Sequence, residues 1–147
     1  MDLLELNRLL EMEKIAHNWT GFQRRPNQAN FLIGTAQLTD TSGVFLPAVT
    51  LEIEVKPPVV VDRTVLLFSL RKRMLQTRCR IYQLEVCPGD KRSHNGDPVI
   101  YGPHEHLLED EVHPVAGKGV NYDDWSGSFK WFLQRINVRD FEVDRPW

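Results

Sequence analysis

The chain has 147 residues, 41 % of them hydrophobic and 26 % charged, with a formal net charge of −2. This composition is ordinary for a soluble protein and the length suffices for a sizeable core, so one compact domain over 1–147 is expected. The slight acidity excludes a molecule that grips polyanions with its whole surface, and any nucleic-acid contact must come from a local patch.

No apolar run approaches the roughly 20 residues of a membrane span. The opening Met1-Asp2-Leu3-Leu4-Glu5-Leu6 carries acids where a secretory signal carries basic residues. A cytoplasmic protein with no membrane contact is therefore expected, and the sequon Asn18-Trp19-Thr20 carries no weight. The two cysteines, Cys79 and Cys87, fall on one expected strand. Eight residues of strand separate them by about 26 Å, too far for a disulfide within the chain. They read as small buried apolar residues.

Residues 2–17 read as an amphipathic helix. Leu3, Leu6, Leu10 and Leu9, Met12, Ala16 recur at helical spacing, opposite Glu5, Arg8, Glu11 and Lys14. Asp2 followed by Glu5 gives a capping-box pattern, and His17 sits where the helix dipole favours a cation. Trp19 and Phe22 extend the apolar seam, and 21–30 is a polar connector.

Four strands are expected next, at 31–38, 48–55, 63–70 and 77–87. Asp40-Thr41-Ser42-Gly43 supplies turn chemistry after the first. In the second, Val49, Leu51, Ile53 and Val55 alternate with Thr50, Glu52 and Glu54, the mark of a strand with one wet face. Pro57-Pro58 ends it. The third is apolar at nearly every position, as a central strand would be, and Pro88-Gly89-Asp90 ends the fourth. Short connections favour an antiparallel meander.

The segment 94–113 reads as mostly loop, with a short extended piece at 98–101. A helix over 124–137 follows, capped by Asp123 or Asp124, with Trp125, Phe129, Phe132, Leu133 and Ile136 as its apolar stripe. Asn137 is the expected stop, and 138–143 an edge strand. The class is α+β: an N-terminal helix, an antiparallel sheet of about four to five strands, and a C-terminal helix packed on the sheet.

Chemistry concentrates in 94–113, which holds four of the five histidines. In Gly102-Pro103-His104-Glu105-His106, an extended backbone turns His104 and His106 to one side. Such a pair can act as general base and general acid, with His94 nearby in the turn His94-Asn95-Gly96-Asp97. It can also ligate a metal if His94, His113 or an acid from Glu109-Asp110-Glu111 completes the shell. A third account is structural, with histidines bracing a long loop. The acid/base account needs no metal or cofactor, and it names His104, His106 and His94.

Arg71-Lys72-Arg73 with Arg78 and Arg80 would gather near one end of a hairpin and could neutralise phosphates. Tyr82, two residues from Arg80, would share their face and stack on a base. The alternative is that these charges protect a sheet edge from aggregation. Phosphate-binding loops, dinucleotide fingerprints, HExxH, GxSxG and paired zinc cysteines are all absent from the sequence.

The run Arg80 to His106, followed by Trp125 and an aromatic helix, resembles a group of small bacterial and prophage proteins. There an Arg/Leu-rich strand leads to an His-Asn-x-x-Gly turn, a Gly-Pro-His-x-His core and a Trp-containing stretch. Here Asn95 and Gly96 lie adjacent, a departure from that turn. The core is also similar to that of the TumE-like toxins of toxin–antitoxin pairs. The likeness covers the second half of the chain and assigns no catalytic residue.

Three functions fit these residues. One is a toxin-like, metal-independent ribonuclease, with RNA and a cognate antitoxin as partners. Another is a non-catalytic phage or mobile-element accessory protein that binds a protein partner through its acidic His-rich loop (Glu105, Glu109, Asp110, Glu111). The third is a metal-dependent hydrolase.

Overall fold

The structure, a computed structural model, describes residues 2–56, 64–108, 111–115 and 118–146. Helix α1 (Leu3–Glu11) comes first, then β1 (Ile15–His17), β2 (Gln23–Arg25), β3 (Gln28–Thr39), β4 (Phe45–Lys56), β5 (Val65–Arg73) and β6 (Arg78–Val86). The chain continues through β7 (Arg92–His94), β8 (Ile100–Tyr101), β9 (His104–Leu107), β10 (Glu111–Pro114) and helix α2 (Trp125–Arg135). An eight-stranded sheet runs in the order β1-β3-β4-β5-β6-β9-β10, with β2 also on β3, while β7 and β8 form a separate hairpin. The α+β class and the helix–sheet–helix order stand. The sheet has more strands than the expected four to five.

The helix α1 ends at Glu11, short of the expected residue 17, because Lys14 turns inward. Its ammonium donates to the carbonyls of Leu9 (2.6 Å), Leu10 (3.1 Å) and Met12 (2.7 Å), which the last turn leaves unpaired. Lys14 is thus buried and not on the wet helix face, and burial draws its pKa down to about 8. Past it, Ile15, Ala16 and His17 pair with Thr39, Leu38 and Gln37 as an edge strand. His17 bonds Thr39 Oγ1 at 2.9 Å and meets the Phe45 ring, so no helix dipole is involved.

The strands β3 to β6 fall close to their expected places; the stop at Pro57-Pro58 and residue Arg63 lie outside the described residues. In β5 every residue from Val65 to Leu70 is buried, as its central position requires. Val49, Leu51, Ile53 and Val55 of β4 face the core with Leu66, Phe68, Leu70, Leu84 and Val86. The helix α2 lies over this face. Phe68 packs against Trp125, Phe129 and Phe132, and Phe132 stacks on Tyr82.

Asp124 caps α2, its Oδ1 accepting from the Gly127 amide at 2.9 Å. A Cβ at Gly127 would stand 2.3 Å from the Asp124 carboxylate, which explains a glycine in the first turn. Asn137 ends the helix in the left-handed region at φ 54°, an accepted role for Asn. The expected edge strand at 138–143 does not form. Val138 makes one parallel bridge to Lys14, and Phe141 folds back onto Phe129 and Trp19. Among the described residues no helix is long and apolar enough to cross a membrane.

Candidate functional site

The face of the sheet opposite the helices is polar, and the candidate site lies on it. About half of the described residues in 94–113 are strand, at His94, Ile100–Tyr101, His104–Leu107 and 111–113, where mostly loop was expected. The strand β9 pairs with β6 (Glu85↔His104, Gln83↔His106) and with β10. Extended geometry then directs His104 and His106 to one face and Glu105 to the other. The imidazole Nε2 atoms of His104 and His106 stand 3.1 Å apart. His94, at the end of β7, brings its ring centroid to 6.0 Å from His104 and 5.7 Å from His106. The three expected site histidines therefore meet.

Hydrogen bonds fix the tautomers of two of them. The Ser93 hydroxyl donates to the Gly102 carbonyl at 2.6 Å, so its oxygen accepts from His104 Nδ1–H at 3.1 Å. His94 Nδ1–H donates to the Pro98 carbonyl at 2.7 Å. Both rings keep an Nε2 lone pair, and His106 Nε2–H supplies the proton between the pair. Two glycines make room. A Cβ at Gly102, which has φ 80°, would stand 3.1 Å from the Gly89 Cα, and one at Gly96 would stand 3.1 Å from His94 Cε1.

Burial is the main electrostatic force on the pair. His104 is 2 % exposed, and its pKa is lowered by burial against a smaller raising effect of Glu85. That of His106 is lowered to about 4 by burial, helped by Arg80 and the neighbouring imidazoles. Both are neutral at pH 7. Glu85, whose Oε2 lies 3.7 Å from His104 Nδ1, joins the cluster although the sequence reading passed over it. Glu85 and Gln83, the two polar residues at alternate positions in the stretch from Ile81 to Val86, were the available signal.

The basic residues divide between the two faces. In the β5–β6 hairpin, Arg71 pairs with Arg80 and Arg73 with Arg78. Arg71, Arg73 and Arg78 line a concavity of about 320 Å³ together with Thr35, Thr50 and Glu52. Glu52 is buried there, ion-paired to Arg78 at 2.9 Å and Arg71 at 3.3 Å. Arg80 reaches Gln83 at 3.4 Å, and Gln83 donates to Ser69 at 3.0 Å, so polar contacts run on from the hairpin toward the histidines. Lys72 is different: it points to the helix side and pairs with Glu5 of α1.

Tyr82 must also be withdrawn as a stacking platform. Leu70 pairs with Tyr82 but Arg71 with Arg80, so a bulge at Ile81 changes the phase of β6 between them. Tyr82 is thereby carried into the core, fully buried. Its hydroxyl donates to Glu105 at 2.7 Å. Arg135 of α2 binds the same carboxylate through Nε at 2.9 Å and Nη2 at 2.7 Å. Glu105 is thus a core anchor and not a surface acid of the loop; Glu109 and Asp110 lie outside the described residues. His113 pairs across from Glu105 in register and contacts Glu111 at 3.2 Å, so it stands apart from the other histidines.

Among the described residues, no group of three or more His, Cys, Asp or Glu side chains is ready-made to hold a metal ion. Cys79 and Cys87 are buried and form no disulfide. Comparison with protein-family models, curated proteins and solved structures found no match.

Proposed function

We propose that this is a toxin-like protein that acts on RNA and cleaves it at the histidine cluster. One observation carries the reading: the arginine concavity and the histidine cluster lie on the same helix-free face of one sheet. In this reading Arg73, exposed at the hairpin end, holds a phosphate, with Arg71 and Arg78 beside it sharing their charge with Glu52, while the RNA backbone crosses toward the histidines.

Cleavage then follows from the proton inventory. A neutral imidazole suits the removal of the 2′-OH proton, and His94, partly exposed on the rim, offers the Nε2 lone pair that its Nδ1–H bond to the Pro98 carbonyl leaves free. The freed 2′-oxygen attacks phosphorus, the P–O5′ bond breaks, and a 2′,3′-cyclic phosphate and a 5′-hydroxyl result. The imidazolium so formed at His94 gives that proton to the leaving 5′-oxygen, which restores the neutral ring. A cognate antitoxin would act by covering this face.

The test is cleavage of a labelled single-stranded RNA by the wild type and by His94→Ala, with circular dichroism confirming that both fold. The expected result is a cyclic-phosphate product from the wild type and a loss of at least 100-fold in the variant. Equal cleavage by a folded His94→Ala protein, or none by the wild type, would overturn it.

A further inference from the structure

We propose that His94, His104 and His106 bind one divalent transition-metal ion, zinc in the first instance, through their Nε2 atoms. The geometry of the pair comes first. With Zn–N bonds of about 2.0–2.1 Å, two ligands at a tetrahedral angle place their nitrogens about 3.3 Å apart and their ring centroids about 5 Å apart. His104 and His106 show 3.1 Å between Nε2 atoms and 4.9 Å between centroids.

The lone pairs of His104 and His94 point to the same conclusion, while His106 would give up its Nε2 proton on binding, to solvent or to its buried Nδ1, which has no partner among the described residues. In metal sites the ligating histidine commonly gives its other N–H to a carbonyl, hydroxyl or carboxylate, which fixes the tautomer. His104 Nδ1 is so committed to Ser93, with the Glu85 carboxylate beyond at 3.7 Å, and His94 Nδ1 to the Pro98 carbonyl. Glu85 Oε2 is buried and has no hydrogen-bond partner among the described residues, so a free acceptor oxygen stands behind His104.

Closure of the third ligand remains. His94 centroids lie at 6.0 and 5.7 Å from the other two rings, so its ring must move inward by about 1 Å and turn its Nε2 edge to the pair. That explains why no three-residue shell is complete among the described residues. His94 is the mobile member because it sits partly exposed at the end of a three-residue strand, ahead of the Asn95-Gly96 turn. Three imidazoles leave a fourth position open, the arrangement of a catalytic rather than a structural zinc.

The binding claim stands on this geometry alone, whereas its use in catalysis rests on the reaction proposed above. There, water on the ion would replace His94 as the base. Tag-free protein, stripped with EDTA and freed of it, is titrated with Zn²⁺ by calorimetry and with Co²⁺ by visible absorption. One equivalent per chain is expected. His94→Ala and His106→Ala should each weaken binding at least tenfold, and His113→Ala should leave it unchanged. Circular dichroism confirms folding, and if His106→Ala fails to fold then His94→Ala decides alone. No saturable binding by folded wild type, or binding unchanged in folded His94→Ala, would overturn the site. RNA cleavage is scored separately. An equivalent of metal bound without cleavage overturns the function but keeps the site, whereas cleavage in EDTA by protein that takes up no metal does the reverse.

Discussion

The two faces of the sheet use neighbouring residues of the same strands for opposite purposes. On the helix side, Phe68, Tyr82 and Leu84 meet α2, and the polar groups there are paired with other elements: Lys72 with Glu5, Glu105 with Tyr82 and Arg135. On the open side, Glu52, Ser69, Gln83, Glu85, His104 and His106 bond mostly among themselves or with arginines. Stability is concentrated on the first face. The second keeps its polar and titratable groups outside the apolar core, and substitutions should separate the two.

The largest effect is expected from Phe132→Ala. The ring is fully buried between Phe68 and Tyr82, so the change should cost about 3–5 kcal/mol in urea unfolding. Arg135→Ala should come next. It leaves a buried carboxylate with Tyr82 as its remaining partner and should cost about 3 kcal/mol. An Arg135→Ala protein as stable as the wild type would show that the two faces do not divide as described.

The open face should respond to acid more than to truncation. An unfolded histidine titrates near 6.5, whereas His106 in the fold titrates at about 4. Between these values the unfolded chain binds the additional proton, so stability should fall as pH drops through this window. His106→Asn should flatten that part of the stability–pH curve. The smallest effect on folding is expected from Arg73→Ala, an exposed residue, with a change within about 0.5 kcal/mol. Its effect belongs to binding: the salt dependence of RNA affinity should lose about one unit of slope.

Much of the helix-side face was legible in the sequence, because burial writes itself as periodicity. The alternation of 48–55, the apolar run at 65–70 and the aromatic stripe of 125–136 each predicted an element that forms. The helix expected over 2–17 ran too far because Ile15 and Ala16 continue the three-and-four spacing, while nothing in the spacing tells that Lys14 turns inward to bond three carbonyls. The strands around the histidines are two to four residues long; β9 owes its conformation to β6, a partner some twenty residues away, and β7 and β8 to each other. Local composition could not reveal them. The meeting of His104 with His106 was readable from their spacing of two, but the arrival of His94 needed the β7–β8 hairpin. Tyr82 was assigned to the wrong side because a single unpaired residue, Ile81, inverts the strand's parity without leaving a mark in composition.

Glu105 lies between His104 and His106 in a strand of four residues, and Arg135 grips it from α2. Adjacent side chains on so short a strand cannot turn independently of their backbone. A shift of the helix along its axis would therefore pull on Glu105 and tilt both imidazoles together, in the same sense. The histidine pair is geared to a helix on the far side of the sheet, and pressure on that helix would be felt as a change in aim at the opposite surface.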